Sequence, residues 1–295
     1  MLIEDFIIFV FYCIDERLKK AKAGRFRSRG FDPKLSDSEV ISMEIVGEFL
    51  GFDTDKSIWE YFSREWRSWF PDLASRTTFA RQAANIWNLK QLIQKQLFSE
   101  MNDSLDNVRI VDGFPIPVCH FARARRGACF KGEAGYGRCP SKNQVYYGFK
   151  GHLLITASGA ISAFMLTPAN IEEHRTLEEL SEGVRGLVIG DKGFISKALK
   201  GRLKQQGIDL ETPLKKNMKD DRAPGFVSKI KSMRRIVETV IAQLIHRFRF
   251  TKVWVRDQWH LISRLSRKLL AHTVCVFLNR KIGRSPIKFD GLLST

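Results

Sequence analysis

The chain reads as an α/β protein: a mixed sheet flanked by helices, preceded by a small all-helical domain. Three observations predict this. Apolar residues keep a helical period through the first hundred positions. From about residue 106 the period shortens to β-rich runs, two of them forming a hairpin. Beyond residue 170, short apolar strands alternate with amphipathic helices. The expected domains are a helical one over 1–100, an α/β one over 101–280 and a basic tail over 281–295.

The apolar run Phe6–Ile14 follows Glu4 and Asp5, where a signal peptide would carry bases. It stops at Asp15-Glu16-Arg17, short of the roughly 20 residues a spanning helix needs. A buried first helix in a cytoplasmic protein with no membrane association is expected. Ser36 and Glu39 form a capping box ahead of Val40, Ile41, Ile45 and Phe49, and Gly51 ends that helix. Ser57 opens a helix through Ile58, Trp59, Tyr61 and Phe62. Thr77 or Thr78 caps the next, with Phe79, Ala83 and Ile86 inward and Arg76, Arg81 and Lys90 outward. These last two helices fit either a helix-turn-helix that reads DNA ends or a plain bundle.

Val108–Phe114 is a strand, and Pro115 and Pro117 keep the next stretch out of a central ladder. Tyr146–Thr156 and Ala160–Leu166 pair around Gly159. A helix starts near Glu172, a buried strand spans Gly186–Asp191, and a helix covers 196–204. A strand comes next at Ile208–Thr212, then a long helix over 228–249 and a basic amphipathic helix over 261–279.

With 49 Lys+Arg against 32 Asp+Glu the net charge is +17, and it is localised. Residues 119–142 carry +5 and residues 226–295 carry +12, so the remainder sums to zero. Such patches are the footprint of a polyanion, nucleic acid above all; a solvated basic face is the alternative. Candidate DNA contacts are Arg123, Arg125, Arg126, Lys131 and Lys142 in the loop, then Lys150 and Lys192. Lys231, Arg235, Arg247 and Arg249 come late in the chain, with Arg76 and Arg81 in the helical domain. Five cysteines are too few for a disulfide scaffold. Cys119, His120, Cys129 and Cys139 lack zinc spacing. Trp254 and Trp259 fit core packing better than base stacking. Without a Walker motif, no nucleotide cofactor is expected.

Three acids stand out. Asp112 and Asp191 end apolar strands, where the ligands of α/β sheets collect. Glu238 is the only acid over 226–256 and sits at the edge of its helix's buried face. Converging carboxylates can hold hard divalent cations for phosphodiester chemistry. Strand-end acids can also simply cap the next turn. Glu172 or Glu173 could add an acid, although helix N-termini favour acids in any case.

Asp112 after its strand, Gly190-Asp191-Lys192-Gly193-Phe194, and Arg234 four residues before Glu238 resemble the signature of bacterial insertion-sequence transposases of the DDE type, the nine-eight-two group most of all. Val111-Asp112-Gly113-Phe114-Pro115, Tyr147-Gly148-Phe149-Lys150 and Thr212-Pro213-Leu214-Lys215-Lys216-Asn217 add to the likeness. The resemblance implies a ribonuclease-H-like fold and two Mg²⁺ ions, with Mn²⁺ substituting, held by Asp112, Asp191 and Glu238. Arg234 would orient Glu238 or touch a phosphate. It further implies cleavage at terminal inverted repeats, strand transfer into target DNA and a homodimer in the DNA complex. Lys231 and Ile245 stand where relatives often carry Tyr and Lys; His246, Arg247 or Arg249 are the alternatives for that DNA contact. A transposase-derived DNA-binding protein and a stand-alone metal-dependent nuclease are the competing functions.

Overall fold

Hydrogen-bonded ladders and caps define the elements of the computed structural model, which describes residues 1–21, 33–101, 106–119, 121–125, 129–139 and 144–294. Five helices come first: α1 (Ile3–Lys20), α2 (Asp37–Phe49), α3 (Asp55–Glu65), α4 (Arg76–Asn85) and α5 (Trp87–Glu100). Then come β1 (Val108–Cys119), α6 (Phe121–Ala124), β2 (Gly135–Cys139), β3 (Gln144–Thr156), β4 (Ile161–Pro168) and α7 (Glu173–Leu180). β5 (Gly186–Ile189), α8 (Lys197–Gln205), β6 (Ile208–Glu211), α9 (Pro224–Ala242) and α10 (Gln258–Lys281) complete the series.

Two compact units emerge, residues 1–100 with 244–295, and residues 101–243. The division differs from the expected one, in which the α/β domain runs to residue 280. α10 is the reason: its apolar face, including Leu265, Leu270, Val274 and Leu278, is buried, and it packs on α2 and α5.

In the helical unit the capping box of α2 forms as expected. Ser36 Oγ accepts from Glu39 N–H at 3.2 Å, and Glu39 Oε2 accepts from Ser36 N–H at 2.7 Å. Gly51 comes after it in the left-handed region at φ 89°. Two caps shift. Thr54 caps α3 with Ser57 as its partner, and Ser75 caps α4 by accepting from Thr78 N–H. Lys90 points inward, contrary to expectation, because it belongs to the separate helix α5. Its ammonium donates to Glu44 at 2.7 Å and to the Ala83 carbonyl at 3.0 Å. Arg267 and Lys268 of α10 meet Glu48. All five of these charged side chains are fully buried.

The sheet unit has strand order β2-β3-β1-β5-β6, with β4 also pairing to β3. β1 is antiparallel to β3 and parallel to β5, and β5 is parallel to β6. This is the mixed α/β sheet expected. β1, however, runs straight through Pro115 and Pro117, which pair with Lys150 and Gly148. β5 pairs with β1 only over Val108–Ile110, so the prolines fall where one edge of β1 needs no donor. Leu177 and Leu180 of α7 join Val111, Leu154, Val188, Phe194 and Leu199 in one apolar cluster. α9 buries Ile230, Val237 and Val240 and packs on β1. It starts four residues earlier than expected, with Pro224 in its first turn, and passes into a π-helical turn at Gln243–Arg247. No described helix is long and apolar enough to cross a membrane.

Candidate active site

Asp112 lies on β1 just beyond Ile110, the last residue that β5 pairs. From there β1 has lost its parallel neighbour and the sheet opens. Asp191 leaves β5 at the same place. Its carbonyl accepts from Phe194 N–H at 3.0 Å, closing the short 3₁₀ turn Lys192–Phe194, and buried Phe194 pins that turn to the core. Glu238 comes from α9, one turn after Arg234.

The Arg234 guanidinium stands among all three acids. It lies 3.2 Å from Asp191 Oδ1, 3.8 Å from Asp112 Oδ2 and 3.9 Å from Glu238 Oε1. The resemblance implies that Arg234 orients Glu238 or touches a phosphate; the structure sets its guanidinium within 3.9 Å of every one of the three carboxylates. Its Nε is buried without a hydrogen-bond partner. Side-chain exposure rises from 19% at Asp112 through 42% at Asp191 to 58% at Glu238, so the group is open on the Glu238 side.

Burial pushes the Asp112 carboxyl up to about 6. The Gly113 N–H at 2.8 Å and the Arg234 guanidinium pull it back, while the charges of Asp191 and Glu173 raise it further. Glu173 opens α7, with its Oε1 3.4 Å from Lys150 Nζ. Glu172 instead faces His174 and Arg175 and is well exposed.

Among the described residues, no three Asp, Glu, His or Cys side chains are placed to hold a metal ion. The cation between the acids is the guanidinium. The donor set, three carboxylates sharing one positive charge, is of the oxygen chemistry that a hard divalent ion takes.

The basic candidates separate by unit. Arg123, Arg125, Lys131, Lys192, Lys231 and Arg235 are exposed on the sheet unit, and Lys150 is half-buried beside Glu173. Arg126 and Lys142 lie outside the described residues, as does His120. Arg76 and Arg81 are exposed on α4. Arg247 stacks over Phe49 at 4.3 Å, and Arg249 pairs with Asp53 at 3.1 Å. Both therefore have partners within the helical unit. Trp254 and Trp259 are exposed rather than in the core, Trp254 at 77%.

Asp112 does not end its strand as expected but lies within β1, just past the stretch that β5 pairs. With Asp191 after the adjacent β5 and Glu238 from the covering helix, it defines an α/β protein with a carboxylate group at the sheet opening. The family model described as Transposase DDE domain matches residues 89–253, over half of the chain, and the chain belongs to that family. No curated protein matches it. Among solved structures, a piggyBac transposase synaptic complex with hairpin DNA, determined by cryo-EM, is similar with a TM-score of 0.51. Identity is 11%, and the match covers 98% of this chain and 78% of that one. At that identity the likeness is one of fold.

Proposed function

We propose that the chain is the transposase of a bacterial insertion sequence of the nine-eight-two group, acting in the cytoplasm on its own terminal inverted repeats and on target DNA. The observation that carries this reading is the convergence of Asp112, Asp191 and Glu238 on the single guanidinium of Arg234. Those three carboxylates would hold two Mg²⁺ ions, or Mn²⁺ in their place. Bound there, the metals supply activation of a water or 3′-hydroxyl and stabilisation of the leaving oxygen.

The chain's own residues do the rest. β1 and the turn after β5 fix Asp112 and Asp191 on a rigid sheet, and α9 brings Glu238 over them. Arg234 gathers the acids before DNA arrives and is free to turn to a phosphate once they are otherwise neutralised. Exposed Lys192, Lys231 and Arg235 flank the acids and give salt-sensitive grip on the backbone. α4, with Arg76 and Arg81, is the candidate for reading the inverted repeat, and two copies would pair two ends. No nucleotide cofactor is required.

The test is an end-cleavage and strand-transfer assay on Asp112→Ala, Asp191→Ala and Glu238→Ala. Each is expected to lose at least about a thousandfold in rate, an electrostatic loss of roughly 4 kcal/mol or more. Full activity in any one of the three removes that residue from the site. Mg²⁺-independent DNA binding with no cleavage by the unaltered protein favours a non-catalytic DNA-binding protein. Cleavage without joining favours a stand-alone nuclease.

A further inference from the structure

Glu173 lies against two glycines that belong to the two aspartate motifs. A Cβ on Gly113, next to Asp112, would stand 3.0 Å from Glu173 Oε1. A Cβ on Gly193, two residues after Asp191, would stand 2.7 Å from Oε2. Neither glycine has a positive φ, so the backbone itself does not demand glycine at either place. What a Cβ would meet at each is the Glu173 carboxylate, which would have to move aside.

The backbone that carries this carboxylate is held in place. His152 pairs with Gly113 across the β1–β3 ladder, and its ring nitrogens meet Thr167 Oγ1 at 2.9 Å and Thr176 Oγ1 at 3.3 Å. Thr176 lies one turn after Glu173 and donates to the Glu173 carbonyl at 2.8 Å. Lys150 of β3 then approaches Oε1 from the sheet. An acid chosen only to complement a helix N-terminus needs none of this, and Glu172 has none of it.

We propose that Glu173 is a positioning residue of the acid site: seated between Gly113 and Gly193, its carboxylate fixes the segments carrying Asp112 and Asp191 relative to each other and adds a fourth negative charge that strengthens divalent-cation binding. It rests on the cation site proposed above. Its charge also reaches Asp112, whose carboxyl it helps to raise.

Mn²⁺ titration of the full chain by calorimetry, without DNA, tests it. Glu173→Gln keeps the shape and removes the charge, and is expected to weaken Mn²⁺ binding about tenfold, as supporting residues around metal ligands do. Gly193→Ala displaces the carboxylate without changing any charge and is expected to weaken binding and lower the thermal midpoint. Gly193→Ala with Glu173→Ala relieves the clash, so the midpoint recovers while Mn²⁺ binding stays weak. If Glu173→Gln binds Mn²⁺ as the unaltered chain does while Asp112→Asn loses it, the role of Glu173 is overturned and the cation site stands. If Asp112→Asn also binds normally, the cation site itself is overturned. A Gly193→Ala midpoint that ignores Glu173→Ala overturns the seat between the glycines.

Discussion

At the scale of single residues, Arg234 decides how the acid group behaves before metal enters. Three carboxylates around one guanidinium repel one another once it is gone. Arg234→Gln is therefore expected to destabilise the metal-free protein by about 1 kcal/mol after solvent screening, or roughly 3 °C in thermal midpoint. Excess Mn²⁺ takes over the neutralisation and stabilises by binding the folded state, so the gap to the unaltered protein closes. Melting curves in chelator and in Mn²⁺ measure both; a gap unchanged by Mn²⁺ counts against a cation site at these acids. The sequence singles out Asp112 and Asp191 because each ends an apolar run, and Glu238 because it is the only acid over 226–256. The hold of Arg234 on Asp112 and Asp191 is not legible there, because those partners lie 122 and 43 positions away along the chain. Glu173 is visible only as a helix-start acid, and its glycine seat appears once β1, α7 and the turn after β5 are assembled.

Elements are legible where local rules act alone. The capping box of α2, the Gly159 turn and the strands of the hairpin depend on residues within a few positions of each other. β1 defeats the proline rule because the pairing of its edges is a property of the sheet, not of the strand. Lys90 defeats the periodic one because its buried partners Glu44 and Ser263 are distant in sequence. The charges shared by α2, α5 and α10 make the sharpest prediction at this scale. Glu48→Gln leaves Arg267 and Lys268 buried with less counter-charge, and is expected to cost about 3–5 kcal/mol. All six tryptophans lie in residues 1–100 and 244–295, so their fluorescence in a urea titration reports on that unit. Lys19→Ala, which breaks an exposed pair with Asp15, is the control and leaves the midpoint in place. Equal midpoints for the two variants would show that the buried charges are solvated.

For the whole molecule, the two units redistribute the charge. Residues 244–295 bring eleven bases and two acids to a helical segment that is neutral by itself, so the helical unit carries +9 and the sheet unit +8. The sequence puts the excess in a loop and a tail; folding gives each unit a nearly equal share. Both are then expected to contact the backbone of DNA. Non-specific duplex affinity should fall about a thousandfold or more between roughly 50 and 200 mM salt, with a shallower slope after either Arg76→Ala with Arg81→Ala or Lys192→Ala with Lys231→Ala. Fluorescence anisotropy at stepped salt gives the slopes. An unchanged slope for one pair takes that unit's surface out of the contact.

The interrupted course of the helical unit also sets an order of events during synthesis. Its first hundred residues leave the ribosome long before α10 exists, so Glu48 must wait for Arg267 and Lys268. The sheet unit in between is contiguous and can fold as it emerges. A nascent chain thus completes its acid site before its helical unit can close.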